Sequence, residues 1–119
     1  MAGNCVFEKG DSLSVVCTAP TTPASGDPVL VGQLPGVALT NKNTTTNETT
    51  VQFCGVFLLS VQGETNSDAG SAVAVGDVIY YDAAETVKLN KDTTGVRFGI
   101  ALGTVGSAAT ATIRVRVGY

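Results

Sequence analysis

The sequence predicts an all-β fold. Apolar residues recur at every second position, β-branched side chains dominate those runs, and Gly, Pro, Asn and Asp cluster between them. No segment carries a sustained helical period. The first run is Ser12 to Cys17, with Leu13, Val15 and Cys17 on one face. Thr18 to Gly26 reads as a loop, because Pro20 and Pro23 cannot donate to a central ladder. Strand-like runs resume at Pro28–Val31 and Gly36–Thr40, and a polar connection covers Asn41 to Asn47. Val51 to Val61 reads as one long strand with Val51, Phe53, Phe57, Leu59 and Val61 on one face. Its other face still carries Cys54, Val56 and Leu58. A strand apolar on both sides is covered on both. Burial within the monomer is the preferred reading; the other is a subunit contact, for which Val56 and Leu58 are the candidate residues.

After a polar tract from Gln62 to Ser71, Gly76 to Tyr81 forms a further run. Of the adjacent Tyr80 and Tyr81, one is expected to face in and the other the rim. In Gly95 to Gly103, Val96, Phe98, Ile100 and Leu102 alternate with Arg97, Gly99, Ala101 and Gly103. The small residues on that second face would let a neighbouring backbone come close. The last run, Thr110 to Val117, sets Ile113, Val115 and Val117 against Thr112, Arg114 and Arg116.

A weak internal repeat organises these runs. Gly26-Asp27-Pro28-Val29-Leu30-Val31 is echoed by Gly76-Asp77-Val78-Ile79-Tyr80-Tyr81, and faintly by Gly10-Asp11-Ser12-Leu13-Ser14-Val15. Gly supplies a positive φ, and the Asp side chain is expected to bond a backbone N–H two residues on. Two related hairpin-like units closing a small barrel fit this pattern. Asp11, Asp27 and Asp77 could instead share a calcium ion, but turn capping is the preferred reading.

The chain has 119 residues, one domain's length, with 44% hydrophobic and 14% charged residues, which argues against intrinsic disorder. Residues 1–9 read as a flexible N-terminal arm and residues 10–119 as a single domain. The net charge of −3 gives no footprint for nucleic acid; Arg114 and Arg116, on one strand face, are the nearest approach to a basic patch. The N-terminus lacks the pattern of a signal peptide, and Val56 to Leu59, the longest apolar stretch, is too short to span a bilayer. Cys5, Cys17 and Cys54 lack metal spacing, so free thiols in a reducing cytosol are expected, and Asn43-Thr44-Thr45 and Asn47-Glu48-Thr49 read as chance sequons. Without histidine the commonest general base and metal ligand is missing, and no nucleophile elbow or His-paired Cys occurs. No catalytic residue, cofactor or metal is expected.

Taken in order, Ser25 to Gly32, Gly36 to Thr40, Val51 to Phe57, Val75 to Asp82, Phe98 to Leu102 and Ile113 to Val117 resemble a family of small phage proteins found near the major capsid gene. These are described as capsid decoration, or cement, proteins. The resemblance covers roughly residues 4 to 117. It implies a β-barrel or tulip-like fold, often trimeric, on the outer capsid surface of a tailed phage. The partner would be the major capsid protein, and the virion protein would be made in the host bacterial cytoplasm. Similar proteins have been labelled RecA/RadA-like phage recombinases, but no Gly-Lys-Ser/Thr phosphate loop occurs here. On this reading the protein bridges coat subunits and is not an enzyme. The arm Ala2 to Glu8 offers candidate capsid contacts in Val6, Phe7 and Glu8, by addition to a coat-protein sheet edge; an edge strand of its own domain is the alternative. A carbohydrate-binding or adhesin-like module on the virion is the runner-up, with Tyr80, Tyr81 and Tyr119 few for that task.

Overall fold

Each alternating run becomes strand in the computed structural model, which describes residues 11–65, 69–83 and 85–118. In chain order the strands are β1 (Ser12–Val15), β2 (Pro28–Val31), β3 (Leu34–Ala38), β4 (Thr49–Gln52) and β5 (Gly55–Gln62). They continue with β6 (Val78–Tyr81), β7 (Leu89–Asn90), β8 (Val96–Ala101) and β9 (Thr110–Val117). Among the described residues there is no helix. The fold is all-β. The short β7 carries no alternation long enough to be read from sequence.

The first four strands form a sheet in the order β1-β4-β3-β2, and the last five close a barrel in the order β5-β7-β6-β8-β9. Register decides which side chains meet. Leu13 lies opposite Val51, Val51 opposite Ala38, and Val29 opposite Gly36, so these share one face of the sheet. With Cys17 and Phe53 they form a small apolar cluster. Leu30 and Val37 point the other way and join the main core inside the barrel. One sheet thus contributes to two cores, and the barrel shares its larger core with the sheet beside it. Gly36 is required there, because a Cβ would run into the Val51 side chain.

The barrel interior follows the alternation of β9: Ile113, Val115 and Val117 are buried while Thr112, Arg114 and Arg116 are exposed. Leu59 pairs with Ile113 and Phe57 with Val115, so β5 turns Leu59 and Val61 inward as expected. Tyr81 is buried and stacks on Phe98, with ring centroids 6.3 Å apart, while Tyr80 is only half-buried. That is the division expected of the pair.

Three readings are corrected. Val51 to Val61 is not one strand: it breaks at Phe53 and Cys54, Gly55 takes φ +120°, and the two parts enter different sheets. The Val56 and Leu58 face, for which intramolecular burial was preferred, is exposed. The face expected to hold Val96, Phe98, Ile100 and Leu102 also divides. Tyr80 pairs with Arg97 but Ile79 with Gly99, leaving Phe98 as the extra residue of a β-bulge. Beyond the bulge the alternation shifts by one: Ala101 is buried, Ile100 half-buried and Leu102 exposed. The small residues serve their expected purpose, since a Cβ on Gly99 would collide with the Arg116 carbonyl.

The third correction concerns the Gly-Asp turns. Gly26 and Gly76 have φ +92° and +95°, as expected. The carboxylates, however, bond backward: Asp27 Oδ2 accepts from the Ala24 N–H at 3.0 Å and Asp77 Oδ2 from the Ala74 N–H at 2.8 Å. The repeat is otherwise close. The Gly26 N–H donates to Ala38 O and the Gly76 N–H to Ala101 O, each at 2.7 Å. The two units do not close one barrel together, because the first lies in the four-stranded sheet and the second in the barrel.

Candidate functional site

The barrel wall where β5 lies against β9 is the richest candidate surface. Antiparallel pairing puts Val56 opposite Arg116, Leu58 opposite Arg114 and Ser60 opposite Thr112. On the far side of β9, Ile100 faces Arg116, and the Leu102 N–H donates to the Arg114 carbonyl at 2.8 Å. Two rows therefore cross the outer face: Ile100, Arg116 and Val56, then Leu102, Arg114 and Leu58. Leu58 is 69% exposed and Val56 53%, high values for aliphatic side chains in mid-strand. Among the described residues the guanidinium of neither Arg114 nor Arg116 has an ion-pair or hydrogen-bond partner. The strands give this face no carboxylate.

The chemistry of the face is amphipathic contact. A guanidinium on an aliphatic bed keeps five donors for a partner while its stem packs on apolar neighbours. Sequence reading found Val56 and Leu58 and set the two arginines aside as a weak nucleic-acid patch. It missed Ile100 and Leu102, because the bulge at Phe98 leaves no mark in the alternation. The available signal was Gly99, since a glycine inside a strand pattern marks a bulge or a close backbone approach.

The remaining candidates fall elsewhere. Val6, Phe7 and Glu8, with the whole arm, lie outside the described residues, as do Cys5 and Tyr119. Cys17 is buried and Cys54 exposed, each as a free thiol. Burial pushes the Cys17 thiol up, against the opposing pull of the Thr49 hydroxyl. Burial likewise raises the Tyr81 hydroxyl, and its place in the core removes it from any sugar-stacking surface. Asp27 and Asp77 act as turn caps. The Asp77 carboxyl is held below its usual range by the Ala74 N–H and by Lys91, whose ammonium sits 3.2 Å away. Lys91 also donates to Ala72 O at 3.1 Å, which ties the segment after β7 to that turn. Among the described residues no cluster of His, Cys, Asp and Glu could hold a metal, and no pocket is present.

No curated protein and no solved structure matches the chain. The family model described as "Phage cement protein" does match, over residues 7–117. That span takes in both sheets, both Gly-Asp turns and the whole β5–β9 face, and so the chain belongs to the phage cement protein family.

Proposed function

We propose that the protein binds the outer surface of a tailed-phage capsid and stabilises the shell by bridging coat subunits. Membership of the cement family carries this reading, since it makes a capsid-associated structural role the coarse function. An exposed aliphatic and arginine face on a rigid barrel wall supports it. A shell under pressure from packaged DNA is weakest where capsomers meet. Several modest contacts joined in one oligomer act at high effective concentration and resist separation together. The assembly is a homo-oligomer, with a trimer favoured, built through Val56 and Leu58. The coat protein is met by the arm of residues 1–9, with Val6, Phe7 and Glu8 adding to a sheet edge. The protein performs no catalysis and binds neither nucleic acid nor membrane in this role.

The test is co-sedimentation with expanded shells that lack the protein, beside a DNA mobility shift at the same salt. Shell binding that raises resistance to heat, with no DNA shift, is expected. Tight DNA binding without shell binding would overturn the proposal. Deleting Ala2 to Glu8 should weaken shell binding while the barrel stays folded; undiminished binding would remove the arm from the contact.

A further inference from the structure

We propose that Asn4 to Phe7 of the arm add to the open edge of β1 as a further strand of the four-stranded sheet. The edge of a coat-protein sheet then joins onto that strand. This rests on the proposed contact between arm and coat. It adds where the arm is held beforehand and which of its flanks is left for the shell.

β1 ends its sheet in the order β1-β4-β3-β2, so only one of its flanks is paired. The Phe53 N–H donates to Asp11 O at 2.7 Å, and Leu13 lies opposite Val51. In an antiparallel ladder the peptide groups of successive residues face alternate sides. Those of Asp11, Leu13 and Val15 therefore face β4, and those of Ser12 and Ser14 face away from the sheet. No described residue bonds them. The opposite edge is covered: the Thr18 N–H donates to Leu30 O at 2.8 Å and the Leu30 N–H to Ala19 O at 2.7 Å. β1 carries no charge, proline or bulge, the usual guards of a bare edge. Its inward side chains are short of cover as well. Leu13 and Val15 are half-buried, whereas Val51 and Thr49 across the ladder are fully buried.

Ten residues precede Asp11 and enter at the start of β1. A four-residue turn over Glu8 to Asp11, with Gly10 in it, returns the chain with Phe7 opposite Ser12 and Val6 opposite Leu13. Cys5 then falls opposite Ser14 and Asn4 opposite Val15, a strand of the same length as β1. In this register Val6 supplies the cover that Leu13 lacks; a two-residue turn would set Glu8 there instead. So short a tether holds the arm at high effective concentration beside β1, an advantage no second copy has. The docked strand keeps one free flank, to which a coat-protein edge adds without first having to order the arm.

The experiment is amide hydrogen exchange of the full chain, read residue by residue by NMR at two protein concentrations. The full chain is compared with a variant lacking Ala2 to Glu8 and with Ser14→Pro. Proline is tolerated at a sheet edge where the N–H faces away from the ladder, so Ser14→Pro removes a docking donor and leaves the β1–β4 pairing intact. Slow exchange at Leu13 and Val51 in each variant is expected and shows that this pairing persists. In the full chain the Ser12 and Ser14 amides should exchange at least about tenfold more slowly than in the deletion variant. In Ser14→Pro the Ser12 amide should become fast, and binding to expanded shells should weaken about tenfold, because the arm must then be ordered on contact. Equal exchange at Ser12 and Ser14 with and without the arm overturns the proposal. Protection that appears only at the higher concentration also overturns it and assigns the edge to a second copy. Unchanged shell binding by Ser14→Pro would show that the coat does not use the docked strand, and that half of the proposal fails. If the full chain binds no shell, the capsid function fails, while the exchange rates decide separately whether the arm lies on β1.

Discussion

Asp77 shows how one side chain can do the work that the sequence suggested while using a different bond. Its oxygen closes the turn backward onto Ala74, and Lys91 reaches it from the segment after β7. Both favour the ionised carboxyl, so its folded pKa lies below the unfolded value of about 3.9. A depressed folded pKa stabilises fully above the unfolded pKa, and that contribution is lost as pH falls through the folded one. Asp77→Asn should therefore lower the urea midpoint at neutral pH, with the gap to wild type closing below about pH 4. A gap that stays constant across the acid range would mean that the charge contributes nothing. The glycine of the Gly-Asp pair was legible because only its freedom at positive φ suits that turn. The direction of the aspartate's bond was not, since an Asx side chain can reach several nearby donors with similar ease.

Strand faces were legible wherever the ladder is regular. In β9 every inward and outward assignment holds, because period-two patterning and an unbroken pairing with β5 agree. Legibility failed at two local irregularities. A single residue in excess at Phe98 moves Ile100 and Leu102 from an expected interior to the outer face. The break at Phe53 and Cys54 splits one apolar run between two sheets, and apolar content alone cannot distinguish a strand buried on both sides from one with an exposed apolar face. The neighbours Leu58 and Leu59 test the resulting assignment. Leu59→Ala should cost about 2–5 kcal/mol of stability, for lost burial and the cavity left behind. Leu58→Ala should change it by no more than about 0.5 kcal/mol, read by urea unfolding at a dilution where the chain is monomeric. Equal losses would place both side chains in the interior.

The molecule joins two sheets through a shared core. Leu30 and Val37 of the four-stranded sheet belong to the same buried cluster as Phe98, Ile79 and Val115 of the barrel. Removing the barrel would expose them, so the stability of the sheet is coupled to that of the barrel. Calorimetry should accordingly show one unfolding transition, with a ratio of calorimetric to van't Hoff enthalpy of about one. Leu30→Ala should lower that transition without splitting it, whereas two resolved peaks would show that the sheet and barrel unfold separately. At this scale the all-β class and the repeated hairpin unit were readable from sequence. The assignment of one repeat to each sheet was not, because identical local turns fix a strand's start and leave its neighbour open.

The β5–β9 ladder pairs Gly55 with Val117, the two ends of the barrel-forming stretch. Every other barrel strand leaves the ribosome before β9. Until β9 follows, β5 presents a rim of unpaired backbone donors and acceptors, the kind of edge that recruits strands from other chains. Closing the barrel demands a long loop closure before the ladder returns any free energy, which slows the step. The window in which β5 can mispair opens with its own synthesis and shuts when β9 docks.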